Sequence, residues 1–212
     1  MGPPGSGKGT QTDMISERLK IPAISVGELL RLETKNKTKI GKTIKKIMDS
    51  GLLVPDKVVR EVMEKRLKKS DIKNGFILDG FPRHRPQIKD LKEILIKVHE
   101  AEKDVLVFYV QISPQEVRSR LGKRRVCFNC GRTYHLALNP PKKKGICDDC
   151  GHPVERRKDD EPAAISRRLS NFHKENDPVL DYFSTKNRLF WINGEQDIKK
   201  VQEDILEDLR NL

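Results

Sequence analysis

Four things are scarce or missing in this 212-residue chain, and each closes off a class of function. The longest purely apolar run covers residues 105–110, far short of the roughly 20 residues that a membrane-crossing helix needs. No basic stretch followed by a long apolar one opens the chain, so no secretory signal is legible, and a cytoplasmic location without a membrane partner is expected. Aromatic residues make up 5% of the chain, and the most basic segment holds mainly Phe128 and Tyr134, so few platforms exist for stacking nucleic-acid bases. Cysteine is confined to positions 127, 130, 147 and 150, which leaves none to staple distant parts of the chain.

What is present is enough for a core. Hydrophobic residues reach 35%, and the length suits one compact domain with insertions better than two full domains. Charged residues also reach 35%, with a formal net charge of +12, which attracts polyanions: nucleic acids, anionic membranes or small phosphorylated substrates. Charge alone does not choose among them.

Short apolar segments at 23–26, 76–78, 105–110 and 189–192 read as strands buried on both faces. Helical spacing fills the gaps, as in Val58, Val59, Val62, Met63 and Leu67, and again in Ile198, Val201, Ile205 and Leu209. The fold class is therefore α/β: a parallel sheet with helices on both faces, with ligands expected at the carboxyl ends of its strands. Two stretches break the pattern. Residues 118–144 hold nine Lys or Arg and no Asp or Glu, and read as an inserted small lobe. Residues 27–54 show short helical patterns with no strand between them and read as a second insert.

Gly2, Gly7 and Lys8 fit G-x-x-x-x-G-K, in which backbone N–H groups converge on phosphate oxygens and the lysine neutralises the terminal phosphates. The helix opening near Gly7 aims its positive end at the same anion. The hydroxyl arrives one residue late, at Thr10 after Gly9. Asp79, at the mouth of a strand, can hold Mg²⁺ through water, and Arg83 four residues on can grip a second phosphate bidentately.

The combination "GPPGSGKGT", "DGFPR", "RRVC" and "RRKDD" resembles the adenylate kinases of the long form, whose lid carries a zinc knuckle. The resemblance covers the chain from Gly2 onward. It implies the reaction ATP + AMP ⇌ 2 ADP with Mg²⁺ accompanying ATP, a single P-loop kinase domain over 1–212, an AMP-binding insert at 25–54 and a lid at 123–160. Gly5, Ser6, Gly7, Lys8, Gly9 and Thr10 are implied to hold ATP phosphates. Arg31, Arg83 and Arg168 are implied to hold the AMP phosphate, and Gln87 to read the adenine edge. Arg120, Arg124 and Arg157 match arginines that close on the transferring phosphate, with Arg124, Thr133 and Tyr134 on the ATP side. Leu52, Leu53, Val54, Gly80, Phe81 and Pro82 shape the AMP pocket, and Gln196 matches a position whose backbone meets the ATP adenine. The family commonly has threonine where this chain has Val26, so one polar contact to AMP is absent. Lys8, Arg83, Arg124, Arg157 and Arg168 form the implied catalytic set, and a monomer is expected, with no nucleic-acid partner.

Physical chemistry points the same way. Phosphoryl transfer needs positioning and charge neutralisation, and a phosphate acceptor with a second pKa of about 6 is mostly ionised at neutral pH, so no general base is expected. The cysteines read C-x₂-C-x₁₆-C-x₂-C with glycine after each pair, a four-thiolate set suited to a closed structural Zn²⁺ site. His135 and His152 are read as surface histidines. Asp159 and Asp160 are read as a cap and hinge latch rather than a catalytic pair. Two other readings stay open: a kinase of different base preference, and a zinc ribbon that binds nucleic acid. Finally, a P-loop usually follows a central strand, so about five or six further apolar residues are expected upstream in the native product.

Overall fold

The computed structural model describes residues 1–35, 39–50, 52–98 and 101–211. Part of the second insert, residues 36–38 and 51, therefore lies outside the described residues. Helix α1 (Lys8–Leu19) starts at Gly7 and stops where Lys20 turns left-handed and returns its N–H to Ser16. Then come β1 (Ala23–Ser25), α2 (Val26–Lys35), α3 (Lys39–Asp49), α4 (Asp56–Leu67), β2 (Ile77–Asp79), α5 (Pro86–Lys97), β3 (Val107–Gln111) and α6 (Pro114–Lys123). A small lobe follows with β4 (Arg124–Cys127), β5 (Thr133–His135) and β6 (Val154–Glu155), and the chain ends in α7 (Pro162–Ser184), β7 (Leu189–Asn193) and α8 (Ile198–Arg210).

The major strands pair in parallel, as the alternation of apolar and amphipathic segments requires: β1 with β2 and β3 with β7. Each crossover is long enough to carry helices. In the lobe, β4 lies between β5 and β6, antiparallel to both. Val26 opens α2 instead of extending β1.

The apolar side chains form separate cores. One collects Ile24, Leu30, Met63, Leu67, Leu91 and Phe183 from β1, α2, α4, α5 and α7. A second joins Ile15, Val110, Ile192, Val201 and Ile205 under α1 and α8. A third, of Val117, Leu121, Ile165 and Leu169, anchors α6 to α7. At about 25 cal/mol per Å² of buried apolar surface, these clusters carry the bulk of the folding drive. Strands β2 and β7 depart from the expectation of burial on both faces: no residue of β2 is fully buried, and on β7 Ile192 is buried while Trp191 is 57% exposed, with the Tyr109 ring edge-on to it at 4.7 Å between centroids.

Between β2 and β3 lies an apolar cavity of about 310 Å³. Residues 76–79 line one side and residues 105–108 the other, with Leu91, Leu95, Ile205 and Leu209 also in the walls. At one end Val110 N–H donates to the Met1 carbonyl at 3.0 Å, and the Met1 amino group donates to the Phe108 carbonyl. Among the described residues, the two parallel pairs remain separate two-stranded sheets.

Candidate active site

The loop ahead of α1 is shaped by glycine. Gly2, Gly5 and Gly7 have φ of 144°, 80° and 90°, and a Cβ on Gly2 would stand 2.5 Å from the Val110 carbonyl. This close approach seats the loop against the end of β3. Ser6 is buried, and its Oγ has no hydrogen-bond partner among the described residues. Lys8 donates from Nζ to the Pro3 carbonyl at 3.1 Å. Burial pulls the Lys8 pKa down to about 8, and the cations Arg83, Arg168 and Arg124 push the same way against the pull of Asp79. Asp79 itself accepts from Ser25 Oγ at 3.4 Å and lies beside Gly9, in the first turn of α1.

Three more cations line the cleft with Lys8 from distant parts of the chain, and a fourth, Arg157, lies beside Arg31 and Arg124. Arg31 comes from α2, Arg83 from the loop after β2, Arg168 from α7, and Arg157 from the segment between β6 and α7. Burial lowers the pKa of all four, that of Arg157 to about 9. Arg83 Nε donates to the Gly80 carbonyl at 2.9 Å, and Arg157 Nε has no partner among the described residues. Crowded, desolvated guanidiniums cost free energy unless an anion joins them.

Two carboxylates hold the arrangement. Asp160 is fully buried and takes a bidentate pair from Arg124, at 2.8 and 2.6 Å, plus Arg168 Nη1 at 3.2 Å. Asp159 meets Arg168 at 2.9 Å. Burial pushes the Asp159 carboxyl up, yet Arg168, Arg124, Arg157 and Arg31 together hold it below its ordinary value. The pair thus ties Arg124 at the start of β4 to Arg168 of α7, while the expected cap is absent, because Glu161 occupies the N-cap of α7 and no side chain bonds there.

Lys8, Val26, Arg31, Leu52, Leu53, Val54, Gly80, Pro82, Arg83, Gln87 and Arg168 all line one cleft of about 140 Å³. Phe81 does not; it is buried in the core below and faces the apolar cavity. Away from the cations the cleft turns apolar, through Val26, Leu30, Met48, Val54 and Val59. Gln87 is 3% exposed in this wall. Its Oε1 accepts from the Arg83 backbone N–H at 2.8 Å, and its Nε2 donates to Asp56 Oδ1 at 2.8 Å. His84 Nε2 lies 2.9 Å from the same Asp56 oxygen.

Sequence reasoning missed Asp56 and His84, and also Asn171, Phe172 and Asn176, which α7 adds to the wall. Within about two helical turns of Arg168, these α7 residues were legible as helix but not as site.

The residues expected on the other nucleotide are less concentrated. Arg120 donates to Glu116 at 2.6 Å and reaches the Ser6 carbonyl at 3.4 Å, so α6 touches the phosphate loop. Thr10 and Thr133 are exposed. Gln196 gives its amide to Asp204, which leaves its backbone for other contacts. Tyr134 is 1% exposed; its hydroxyl donates to Cys147 Sγ at 3.4 Å and accepts from Asp148 N–H at 2.7 Å. Its side chain therefore serves the cysteine lobe, and a nucleotide contact here falls to Thr133 and to backbone.

In that lobe the four cysteine Sγ atoms lie within 4.8 Å of one another, with Cys127 3.4 Å from Cys150 and Cys130 3.5 Å from Cys147. A tetrahedral ion with bonds of about 2.3 Å separates its sulfurs by about 3.8 Å, so the set fits such an ion. Gly131 and Gly151 have φ of 88° and 70°, and each returns its N–H to a ligand cysteine carbonyl, Cys127 and Cys147. His135 instead accepts from the backbone N–H groups of Ala137 and Leu138, and His152 Nδ1 meets the Cys150 carbonyl, so neither joins the sulfurs.

Comparison with known proteins agrees with this geometry. The adenylate kinase family profile matches residues 1–188. An adenylate kinase of Limosilactobacillus reuteri is 45% identical over 213 residues, covering 100% of this chain and 97% of that protein. One from Methanocella arvoryzae is 42% identical over 211 residues, with 100% and 97% covered, and one from Caldicellulosiruptor bescii is 40% identical over 209, with 99% and 96% covered. With the profile spanning most of its length and relatives aligned end to end, the chain belongs to the adenylate kinase family.

Proposed function

We propose that the cleft holds AMP, with its phosphate on Arg31, Arg83 and Arg168 and its base between the apolar wall and Gln87. ATP then lies across the loop of Gly5, Ser6, Gly7, Lys8, Gly9 and Thr10, so that the two phosphates meet beside Lys8. The family reaction follows: an AMP phosphate oxygen attacks the γ-phosphorus, the bond to the β-phosphate oxygen breaks, and two ADP leave. No residue needs to take a proton, since the acceptor oxygen is already ionised.

What the chain contributes is charge placed in advance. As negative charge spreads over the equatorial oxygens, Lys8 and Arg157 meet it as groups that burial has already stripped of water, and Arg124 meets it from a place fixed by its pair with Asp160. Arg120 and the backbone at Thr133 and Gln196 complete the ATP side. Asp79, a single carboxylate beside Gly9, would hold Mg²⁺ through water, and the ion would supply charge neutralisation to the ATP phosphates. Cys127, Cys130, Cys147 and Cys150 fit Zn²⁺ in a closed structural site, with no position left for reactive water. Residues 25–54 act as the AMP-binding insert and 123–160 as the lid.

One observation carries this reading: cations from α1, α2, the β2 loop and α7 converge on a cleft whose far end is apolar and holds a fixed amide. The test is ADP formation from ATP with AMP, CMP, UMP and GMP supplied in parallel. AMP should be the best acceptor, and Arg83→Ala should raise its KM as well as lower kcat. A preference for another monophosphate would replace the base assignment; an Arg83→Ala effect confined to ATP would move Arg83 to the other phosphate. Stoichiometric zinc, lost in Cys147→Ser, tests the metal.

A further inference from the structure

An amide side chain carries direction: its oxygen only accepts and its nitrogen only donates, so rotating it by half a turn reverses what it recognises. At Gln87 the direction is forced from both ends. The Arg83 backbone N–H can only donate, and it holds Oε1 at 2.8 Å. The Asp56 carboxylate accepts from Nε2 at 2.8 Å. Among the described residues each end of the amide makes this one bond, which leaves one lone pair on Oε1 and one hydrogen on Nε2 to offer, and Gln87 lines the cleft. An acceptor beside a donor complements the 6-amino group and N1 of adenine. It opposes the carbonyl and N1–H of a 6-oxopurine, where acceptor would face acceptor and donor would face donor.

We propose that Asp56, steadied by His84, is a specificity-determining positioning residue, which locks the Gln87 amide in the orientation that takes a 6-aminopurine and refuses a 6-oxopurine. This rests on the reading that Gln87 faces the base of the monophosphate. Three features support the lock. Asp56 opens α4 straight after Pro55, and Val58 and Val59 return their N–H groups to the Pro55 carbonyl, so its backbone is fixed. His84 Nε2 lies 2.9 Å from Oδ1, the oxygen that also accepts from Gln87, and one carboxylate oxygen thus serves both side chains. Gln87 is buried and has no bulk water to restore a reversed amide. A site built to pair a polar edge rejects its mismatch strongly, because reversal leaves buried groups unpaired.

The experiment compares AMP with IMP, which differs only in the 6-amino group and the N1 proton, as acceptors at saturating ATP and Mg²⁺. In Asp56→Asn the neighbour can donate as well as accept, so one of the two holds on the Gln87 amide is lost and only the Arg83 N–H still opposes its reversal. The AMP-to-IMP ratio of kcat/KM should fall about tenfold or more, with the KM for ATP unchanged. Equal losses for both acceptors, with the ratio intact, would show a merely structural role and overturn the proposal. Should Asp56→Asn not fold, His84→Ala is read the same way: a lower ratio supports the lock and an unchanged ratio overturns it. Gln87→Leu separates the two levels. If it leaves the ratio intact, Gln87 does not face the base and the parent reading fails; if it collapses the ratio while Asp56→Asn does not, only the lock fails.

Discussion

Met1, Lys8 and Pro82 stand in the walls of two cavities, one of about 140 Å³ and one of about 310 Å³. The smaller is ringed by Lys8, Arg31, Arg83 and Arg168, the larger by Leu91, Leu95, Phe108 and Ile205 and by strand backbone. Size points to the wrong one. The chemistry of the walls decides: desolvated cations are high in free energy until an anion arrives, which is why the proposed function places the phosphates in their cavity. Apolar side chains make no such demand and gain by being covered. On the proposed function one cavity is the site and the other is packing space, so substitutions in each should act on different quantities.

The largest effect belongs to the cationic cavity. Lys8→Met removes the charge proposed to face the β/γ-phosphates and should cut kcat by about 10²- to 10³-fold. Stability should move the opposite way. The pKa of Lys8 falls from 10.5 to about 8 on folding, so between those values the unfolded chain holds a proton that the folded chain lacks, and stability rises with pH across that window. Below pH 8 the penalty is fully in force. Lys8→Met should therefore melt higher than the parent at pH 7, and the gain should shrink as the pH climbs from 8 towards 10.5. Unchanged turnover, or a lower melting temperature at pH 7, would erase the contrast between the cavities.

The apolar cavity should answer to filling. An extended apolar segment of about five residues, fused ahead of Met1, can run between β2 and β3 and pair with both edges. Each buried backbone group that gains a partner recovers about 1 to 3 kcal/mol, against an ordering cost of about 1 to 2 kcal/mol per residue. A net gain near 4 kcal/mol would raise the melting temperature of a domain this size by about 10 °C. A Gly/Ser segment of equal length is the control and should do nothing. If both fusions melt alike, the cavity is not a strand slot.

Asp160→Asn tests the anion that the cationic cavity already holds. The amide keeps the shape of the carboxylate but removes the paired counter-charge of Arg124 and leaves Arg168 with Asp159 alone. A loss of about 2 kcal/mol is expected, read by denaturant melts, together with weaker AMP binding as Arg168 loses its hold. A variant as stable as the parent would mean that solvent, not Asp160, balances these guanidiniums.

These contrasts explain what the sequence could and could not disclose. The cysteine lobe was legible from spacing, because all four thiols and both turning glycines lie within one short stretch. Strands β1, β2, β3 and β7 and helices α4 and α8 were legible from apolar periodicity, which reports burial directly. The cleft was legible only through motif and family resemblance, since residues as far apart as Lys8 and Arg168 meet through the fold and nothing local links them. Asp56 and His84 left no local signal at all: an aspartate after a proline is an ordinary helix start, and a histidine in a loop is ordinary surface. The exposed face of Trp191 was hidden for the opposite reason, because apolar residues along β7 say nothing about how well each face is covered.

The smallest effect, and the finest test of the cationic cavity, lies at Val26. This residue is 2% exposed, opens α2 and lines the apolar end of the cleft. Val26→Thr keeps the volume and exchanges a methyl group for a hydroxyl. At the first position of α2 the introduced threonine has no preceding helical turn whose carbonyl it could bond, so in the free protein its hydroxyl is poorly satisfied. That costs about 1 kcal/mol, or a fall of about 2 to 4 °C in melting temperature. A bound AMP can supply the missing partner, and one neutral hydrogen bond worth about 1 kcal/mol corresponds to a KM for AMP about fivefold lower. The two changes have one cause, so they should appear together: a less stable free protein and a larger upward shift in melting temperature when AMP is added. A destabilised variant with an unchanged KM for AMP would place the hydroxyl out of reach of the ligand, and the base would then have to sit elsewhere along the apolar wall.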